Sequence, residues 1–248
     1  MELSIQPHLF EIFRNQSIIH CYSTRKGGFS KGYFNSLNLG LSTPDDKETV
    51  HKNRIKFFKY LDIEERQLAI PRQVHSANIE VVNQPGIYPD SDALITRNKD
   101  FILTIQTADC YPVFIYDPES GSCAIIHSGW RGTALNIAGQ TIKRMENEFN
   151  ADAQNMLIAV GAGIQQKNYQ VDIKTAANFE MAFLKEDGDK HFKLDIQSKI
   201  IDQLLKAGAK KEKIEFDTRC TFENEELFYS FRRDGLNSGR MMGIIGLL

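Results

Sequence analysis

The sequence predicts an α+β fold, a single layered domain over residues 1–248 with mixed β-sheets flanked by helices. Three observations predict it. Short runs rich in β-branched and aromatic residues, bounded by turn formers, recur along the chain. Several, such as Ala124-Ile125-Ile126 and Leu157-Ile158-Ala159-Val160, are apolar throughout, which suits strands covered on both faces. Helical patterns fall among them too irregularly for a strand–helix–strand repeat, so the sheets should be mixed rather than purely parallel. No internal repeat, low-complexity segment or Pro/Gly/Ser-rich linker divides the chain.

The expected strands are Ser17–Tyr22, Ile79–Val82, Ala93–Thr96, Phe101–Gln106, Val113–Tyr116, Cys123–His127 and Met156–Val160. Four helices are expected. The first starts at Thr43-Pro44-Asp45-Asp46, with a capping hydroxyl, proline at the first helical position and acids at the positive helix end. It should bury Val50, Phe57, Phe58 and Leu61. The second runs from about Thr133 to Phe149, with Leu135, Ala138, Ile142, Met145 and Phe149 at three- and four-residue steps. A third follows Asp172 through Ala176, Phe179 and Phe183. The fourth starts at Asp195 and stops at Gly208, burying Ile196, Ile200, Ile201, Leu204 and Leu205.

Hydrophobic residues make up 42% and charged residues 25%, the proportions of an ordinary globular protein. The formal net charge is −2, so no overall basic field draws in nucleic acid or anionic lipid; a local pocket for a small anion is compatible with it. The N-terminal stretch lacks the basic and apolar regions of a secretory signal. The apolar tail Met241–Leu248 is far shorter than the roughly 20 residues of a membrane span and should bury a last strand or plug the core. Cys21, Cys110, Cys123 and Cys220 form no C-x-x-C pair and are expected to be thiols in a reducing cytoplasm.

Three segments carry reactive side chains where apolar strands end: Gln73-Val74-His75-Ser76, Thr107-Ala108-Asp109-Cys110-Tyr111-Pro112 and Ile125-Ile126-His127-Ser128-Gly129-Trp130-Arg131-Gly132. Strand ends are where rigid scaffolds present functional groups. Two imidazoles and a thiolate make a tripod that suits zinc and leaves a fourth position open, a donor set too soft for magnesium or calcium. On residues alone the alternative stands beside it: two hydrogen-bonded structural histidines and a buried small cysteine. The turn after His127 exposes backbone N–H groups and adds Arg131, a recipe for binding an anion; Arg25-Lys26-Gly27-Gly28 is a second basic glycine turn. Asp109 could shuttle protons or orient a histidine, but strand neighbours face opposite ways. Asp109 and Cys110 therefore share a pocket only if the strand ends between them. Arg232, Arg233 and Arg240 could border an anionic substrate.

These segments, together with Ser23-Thr24-Arg25-Lys26-Gly27-Gly28, Ser36-Leu37-Asn38-Leu39-Gly40, Asp92-Ala93-Leu94-Ile95-Thr96, Ser230-Phe231-Arg232-Arg233-Asp234-Gly235 and Ser238-Gly239-Arg240, are similar to the YfiH-like family, also labelled the laccase-domain or multicopper polyphenol oxidoreductase family. The resemblance covers nearly the whole chain. It implies zinc-ligand positions at His75, Cys110 and His127, with copper the alternative metal. It also implies phosphorolysis of adenosine, inosine and methylthioadenosine with inorganic phosphate as co-substrate, and deamination of adenosine. Asp109 is then the expected proton carrier, and Arg131 and Arg25 the expected phosphate holders. The chain departs from the family at Leu41-Ser42-Thr43, where a histidine is common after Asn-Leu-Gly. It departs again at Gln165-Gln166-Lys167-Asn168, where a cysteine often appears, which puts in doubt a role for an extra thiol near the pocket.

Three rivals remain at this stage. One is a cysteine hydrolase with Cys110 as nucleophile and His75 or His127 as base, acting on an amide or cell-wall precursor. Another is a copper oxidase, although six histidines leave too few for an additional multicopper cluster. The last is a purine-sensing or partner-binding module with structural zinc.

Overall fold

The computed structural model describes residues 4–248. The stretch read as lacking a secretory signal begins with residues 1–3, outside the described residues. In chain order the strands are β1 (Ile18–Tyr22), β2 (Leu68–Pro71), β3 (Ile79–Val81), β4 (Gly86–Tyr88), β5 (Ala93–Thr96), β6 (Ile102–Thr107), β7 (Tyr111–Asp117), β8 (Ser122–Ser128), β9 (Leu157–Val160), β10 (Gln170–Asp172), β11 (Leu184–Glu186), β12 (His191–Leu194), β13 (Ile214–Phe216) and β14 (Met241–Leu247). They form a five-stranded sheet ordered β1-β14-β6-β2-β4, a six-stranded sheet ordered β13-β9-β7-β8-β5-β3 and a three-stranded sheet ordered β10-β12-β11. Both larger sheets are mixed: β2 runs parallel to β4 and β6, β3 to β5 and β13 to β9, and the other pairings are antiparallel.

The two larger sheets pack face to face, and side-chain alternation sorts each strand between two cores. In β7 and β8, Phe114, Tyr116, Cys123 and Ile125 point into the layer between the sheets, where they meet Leu103, Ile105, Met241 and Ile245 of the other sheet. Their neighbours Val113, Ile115, Ala124 and Ile126 face outward onto two helices, through Ile142, Met145, Ile200 and Leu204. On the far side, Ile102, Met242 and Ile244 are covered by Phe57 and Phe58 of the first helix. Both faces of each central strand are thus buried, which explains the runs that are apolar throughout. The apolar tail is β14, buried along its whole length between β1 and β6.

The helices are α1 (Lys47–Tyr60), α2 (Trp130–Ala134), α3 (Ile137–Phe149), α4 (Ile173–Ala176), α5 (Ile196–Lys206) and α6 (Phe231–Asp234). Helix α1 begins three residues later than the proline signal suggests. Asp46 caps it by accepting from Thr49 N–H, because Thr43 and Asp45 are engaged by the Asn38 amide instead. The expected Thr133–Phe149 helix is two helices. Asn136 takes φ +62° between them, a left-handed conformation that asparagine tolerates, and its side chain lies over Gly139, where a Cβ would come within 2.7 Å of it. Leu135, expected on the buried face, is therefore exposed. The third expected helix stops after one turn, where Asn178 donates to the carbonyls of Lys174 and Thr175; Phe183 belongs to a separate 3₁₀ turn. Helix α5 keeps its expected Asp195 cap and is followed by Gly208 at φ +108°, but Leu205 faces solvent.

Candidate metal centre

Two chain crossings between the larger sheets carry the reactive residues. The β6–β7 crossing consists of Ala108-Asp109-Cys110 alone, and the β2–β3 connection contains His75. So tight a crossing forces unusual backbone: Asp109 has φ +91° and His75 φ +61°, conformations that non-glycine residues keep only where the surroundings over-determine them. Asp109 and Cys110 thus lie outside both strands, and the alternation rule does not separate them. His127 comes from the end of β8, in register with Pro112 of β7.

The structure brings the three expected ligands together. One ligand atom from each of His75, Cys110 and His127 lies within 4.8 Å of the other two, and the two imidazoles meet edge to face at 80°. His127 is buried, Cys110 half-buried and His75 exposed, so the cluster opens to solvent on the His75 side. Gly129 permits this approach: a Cβ on it would stand 2.9 Å from Cys110 Sγ and 3.0 Å from His75 Cδ2. Donors of this kind, this close, fit a cation that makes bonds of roughly 2.0–2.3 Å to nitrogen and sulfur.

Electrostatics favours a thiolate at Cys110 with a protonated His127 beside it, a proton that His127 must give up to take a cation. Burial works against a thiolate at Cys110, yet the charge of His127 and hydrogen bonds from His127 and His75 outweigh it and bring the thiol down to about 6. Burial likewise opposes charge on His127, but the Cys110 thiolate and the Asp92 carboxylate raise it to about 9. Asp92 sits just before β5, which pairs with β8. It is wholly buried and lies 2.8 Å from His127 Nδ1. The same carboxylate accepts from the backbone N–H groups of Val74, His75 and Ser76 at 3.2, 3.0 and 2.7 Å, and from the Ser76 hydroxyl at 2.8 Å. Gln73 and Gln106 exchange hydrogen bonds at 2.7 and 2.8 Å, fastening the His75 loop to the end of β6.

Asp109 is buried beside Cys110. Its oxygens accept from the Thr221 hydroxyl and from Arg232 N–H, each at 2.6 Å. The Arg232 guanidinium stacks 4.9 Å over the Tyr169 ring and donates to the Gln170 carbonyl. Tyr169 in turn feels the charges of Cys110, Arg232, Asp109 and Arg131. Arg240 precedes β14, whose Met241 pairs with Thr107; burial lowers its pKa, while Cys110 and Asp109 act the other way. Arg131 is exposed and stacks 4.4 Å over Trp130, and its guanidinium makes no hydrogen bond or ion pair among the described residues.

The sequence profile of the family described as multi-copper polyphenol oxidoreductase laccase matches residues 19–248. The chain belongs to this family. Within the laccase-like family it is 35% identical over 238 residues to a purine nucleoside phosphorylase of Deinococcus radiodurans, covering 94% of this chain and 90% of that protein. It is 31% identical over 244 residues to one of Bacteroides thetaiotaomicron, covering 91% and 90%. Among solved structures it superposes on YlmD of Geobacillus stearothermophilus with a TM-score of 0.90 at 30% identity, covering 96% of this chain and 94% of that one. It also matches a Bacillus licheniformis hypothetical protein, YfiH, with a TM-score of 0.93 at 26% identity and 99% coverage of both. The family's copper label names more metal than these side chains gather: among the described residues, His75, Cys110 and His127 form the single cluster of three or more metal-ligating groups.

Two further features of this family member were not legible as function in the sequence. Asp92 appeared only as part of a strand motif, and Tyr169 did not stand out at all; neither has a local signal, because their partners lie far along the chain. Arg25, expected at a phosphate, donates to the carbonyls of Tyr33, Asn35 and Glu225 and stacks 4.5 Å over Tyr229, clamping a loop. The Gln165–Asn168 loop, which lacks the cysteine, packs against Cys220, whose Sγ accepts from Gln165 N–H and the Asn168 amide. All four cysteines are unpaired, and no helix among the described residues is long and apolar enough to cross a membrane.

Proposed function

We propose that this chain is a cytoplasmic, zinc-dependent purine nucleoside phosphorylase, acting on adenosine, inosine and methylthioadenosine with inorganic phosphate, and also deaminating adenosine. The observation that carries the reading is the convergence of His75, Cys110 and His127 on one partly open point, in a chain whose relatives are named purine nucleoside phosphorylases. A cation held there supplies Lewis acidity at its open position.

The protein's own groups set the rest of the chemistry. Phosphorolysis requires phosphate beside the ribose and positive charge around it. Arg131 is free to take phosphate oxygens in a forked pair, and Arg232 and Arg240 add charge on the side of Asp109. Arg25 would have to release three carbonyls to join them. Helix α2 has only five residues, so its dipole adds little beside the arginine. Asp109, with one hydrogen bond on each oxygen, retains a lone pair to take the proton released by the attacking phosphate or water, which suits it to hand that proton on to the departing base in phosphorolysis or the departing ammonia in deamination. The test is to incubate the zinc-loaded protein with a nucleoside panel, with and without phosphate, and separate the products by chromatography. Phosphate-dependent release of free base supports the reading; no base and no inosine from adenosine removes it.

The Cys110–His127 pairing favours one second reading, hydrolysis by a thiolate nucleophile. Activity that survives chelation and dies on alkylation would select it.

A further inference from the structure

We propose that Asp92 is a positioning residue that sets two of the three metal ligands as one unit. The inference rests on the metal reading of the cluster and deepens it. Asp92 reaches His127 through the side chain and His75 through the backbone. Oδ1 lies 2.8 Å from His127 Nδ1 and accepts from His75 N–H at 3.0 Å. Oδ2 accepts from the N–H groups of Val74 and Ser76 and from the Ser76 hydroxyl. Three successive amides converging on one carboxylate pin the residues around His75, which is what holds His75 at φ +61°.

The bond to His127 fixes a chemical choice as well as an orientation. A carboxylate cannot donate, so Nδ1 must carry a proton and Nε2 is the nitrogen left for a cation. A histidine so held is also a more basic ligand. Cys110 is placed separately, by the β6–β7 crossing. A cation at the cluster therefore meets two histidines already aimed by a single buried anion, and that anion offsets part of the cation's charge.

An Asp92→Asn protein tests this. An asparagine offers one oxygen and one NH₂ to a site built entirely of donors, so one of its ends opposes an N–H. Two readouts apply: zinc affinity of the folded protein by competition with a chelator, and nitrogen NMR of the imidazoles in zinc-loaded protein. The expected results are zinc bound roughly tenfold to a hundredfold more weakly in D92N, and a His127 Nδ1 proton that is protected from solvent in the wild type and exchanges in the variant. Unchanged affinity in folded D92N overturns the proposal. Should D92N fail to fold, the wild type decides alone: coordination of zinc by His127 Nδ1 overturns it, and coordination by Nε2 with a protected Nδ1 proton supports it. Zinc uptake by the wild type separates this inference from the reading beneath it. No uptake at one equivalent removes the metal reading and this proposal together, whereas uptake with unchanged D92N affinity removes the proposal alone.

Discussion

Gly129 and Cys110 stand so close that a Cβ on the glycine would lie 2.9 Å from the cysteine sulfur. The backbone there has φ −85° and ψ 174°, which alanine adopts without strain. Gly129→Ala is therefore expected to push Cys110 and His75 apart while leaving the fold intact. Zinc affinity should fall by about tenfold, the scale at which disturbed ligand geometry is felt, with little change in melting temperature. Chelator competition beside a thermal melt checks both parts.

The two histidines should respond differently to removal. His75 is exposed, so His75→Ala should abolish metal binding and turnover with stability nearly unchanged. His127 is buried against Asp92, and His127→Ala leaves that carboxylate without a partner on one side. It should cost about 2–4 kcal/mol of stability in addition to the metal. Urea unfolding of both metal-free variants measures the difference. Equal stabilities would contradict the assigned burial of the pair.

Arg131→Ala should raise the phosphate concentration needed for half-maximal phosphorolysis by about tenfold or more, the loss of one forked charged contact. The nucleoside requirement should change far less. Initial rates on a grid of phosphate and nucleoside concentrations separate the two, and an unchanged phosphate dependence would remove Arg131 from the anion site.

His20 predicts a pH dependence of stability away from the metal. Its Nε2 accepts from Phe10 N–H at 3.1 Å, a bond that needs a neutral ring, and burial lowers its pKa to about 4. Below about 6.5 the unfolded chain takes up a proton that the folded chain refuses until about 4, so folded stability falls as pH drops across that window. The ring is half-buried, and solvent screening holds the effect to about 1–2 kcal/mol. His20→Gln should flatten the urea midpoint between pH 6.5 and 4 relative to the wild type. An equally steep decline in the variant would assign it to other groups.

Much of the layer architecture is legible because burial writes itself locally. A strand with cores on both faces must be apolar at every position, and β5, β7, β8 and β9 read that way in the sequence. The caps at Asp172 and Asp195 and the stop at Gly208 are equally local, since a side chain answers a backbone group three residues away. The small strands of the three-stranded sheet escaped notice because runs of three or four partly polar residues carry no period. The break at Asn136 escaped because Leu135 fits a helical step equally well whether or not it ends up buried.

The three candidate ligands could be picked out because each sits in a short distinctive string: Gln73-Val74-His75, Ala108-Asp109-Cys110 and His127-Ser128-Gly129. By itself the sequence determined which side chains can ligate, which strands are covered on both faces and where α4 and α5 are capped, all consequences of residue chemistry within a few positions. Only the tertiary structure decided that the chain crosses between sheets after both β2 and β6, delivering His75 and Cys110 to the end of β8. It alone decided that one carboxylate, Asp92, meets both His75 and His127, and that Arg25 closes a loop while the Arg131 guanidinium stays free. Those outcomes depend on contacts between residues distant in the chain, and no local pattern encodes which distant group a buried carboxylate or an arginine will meet.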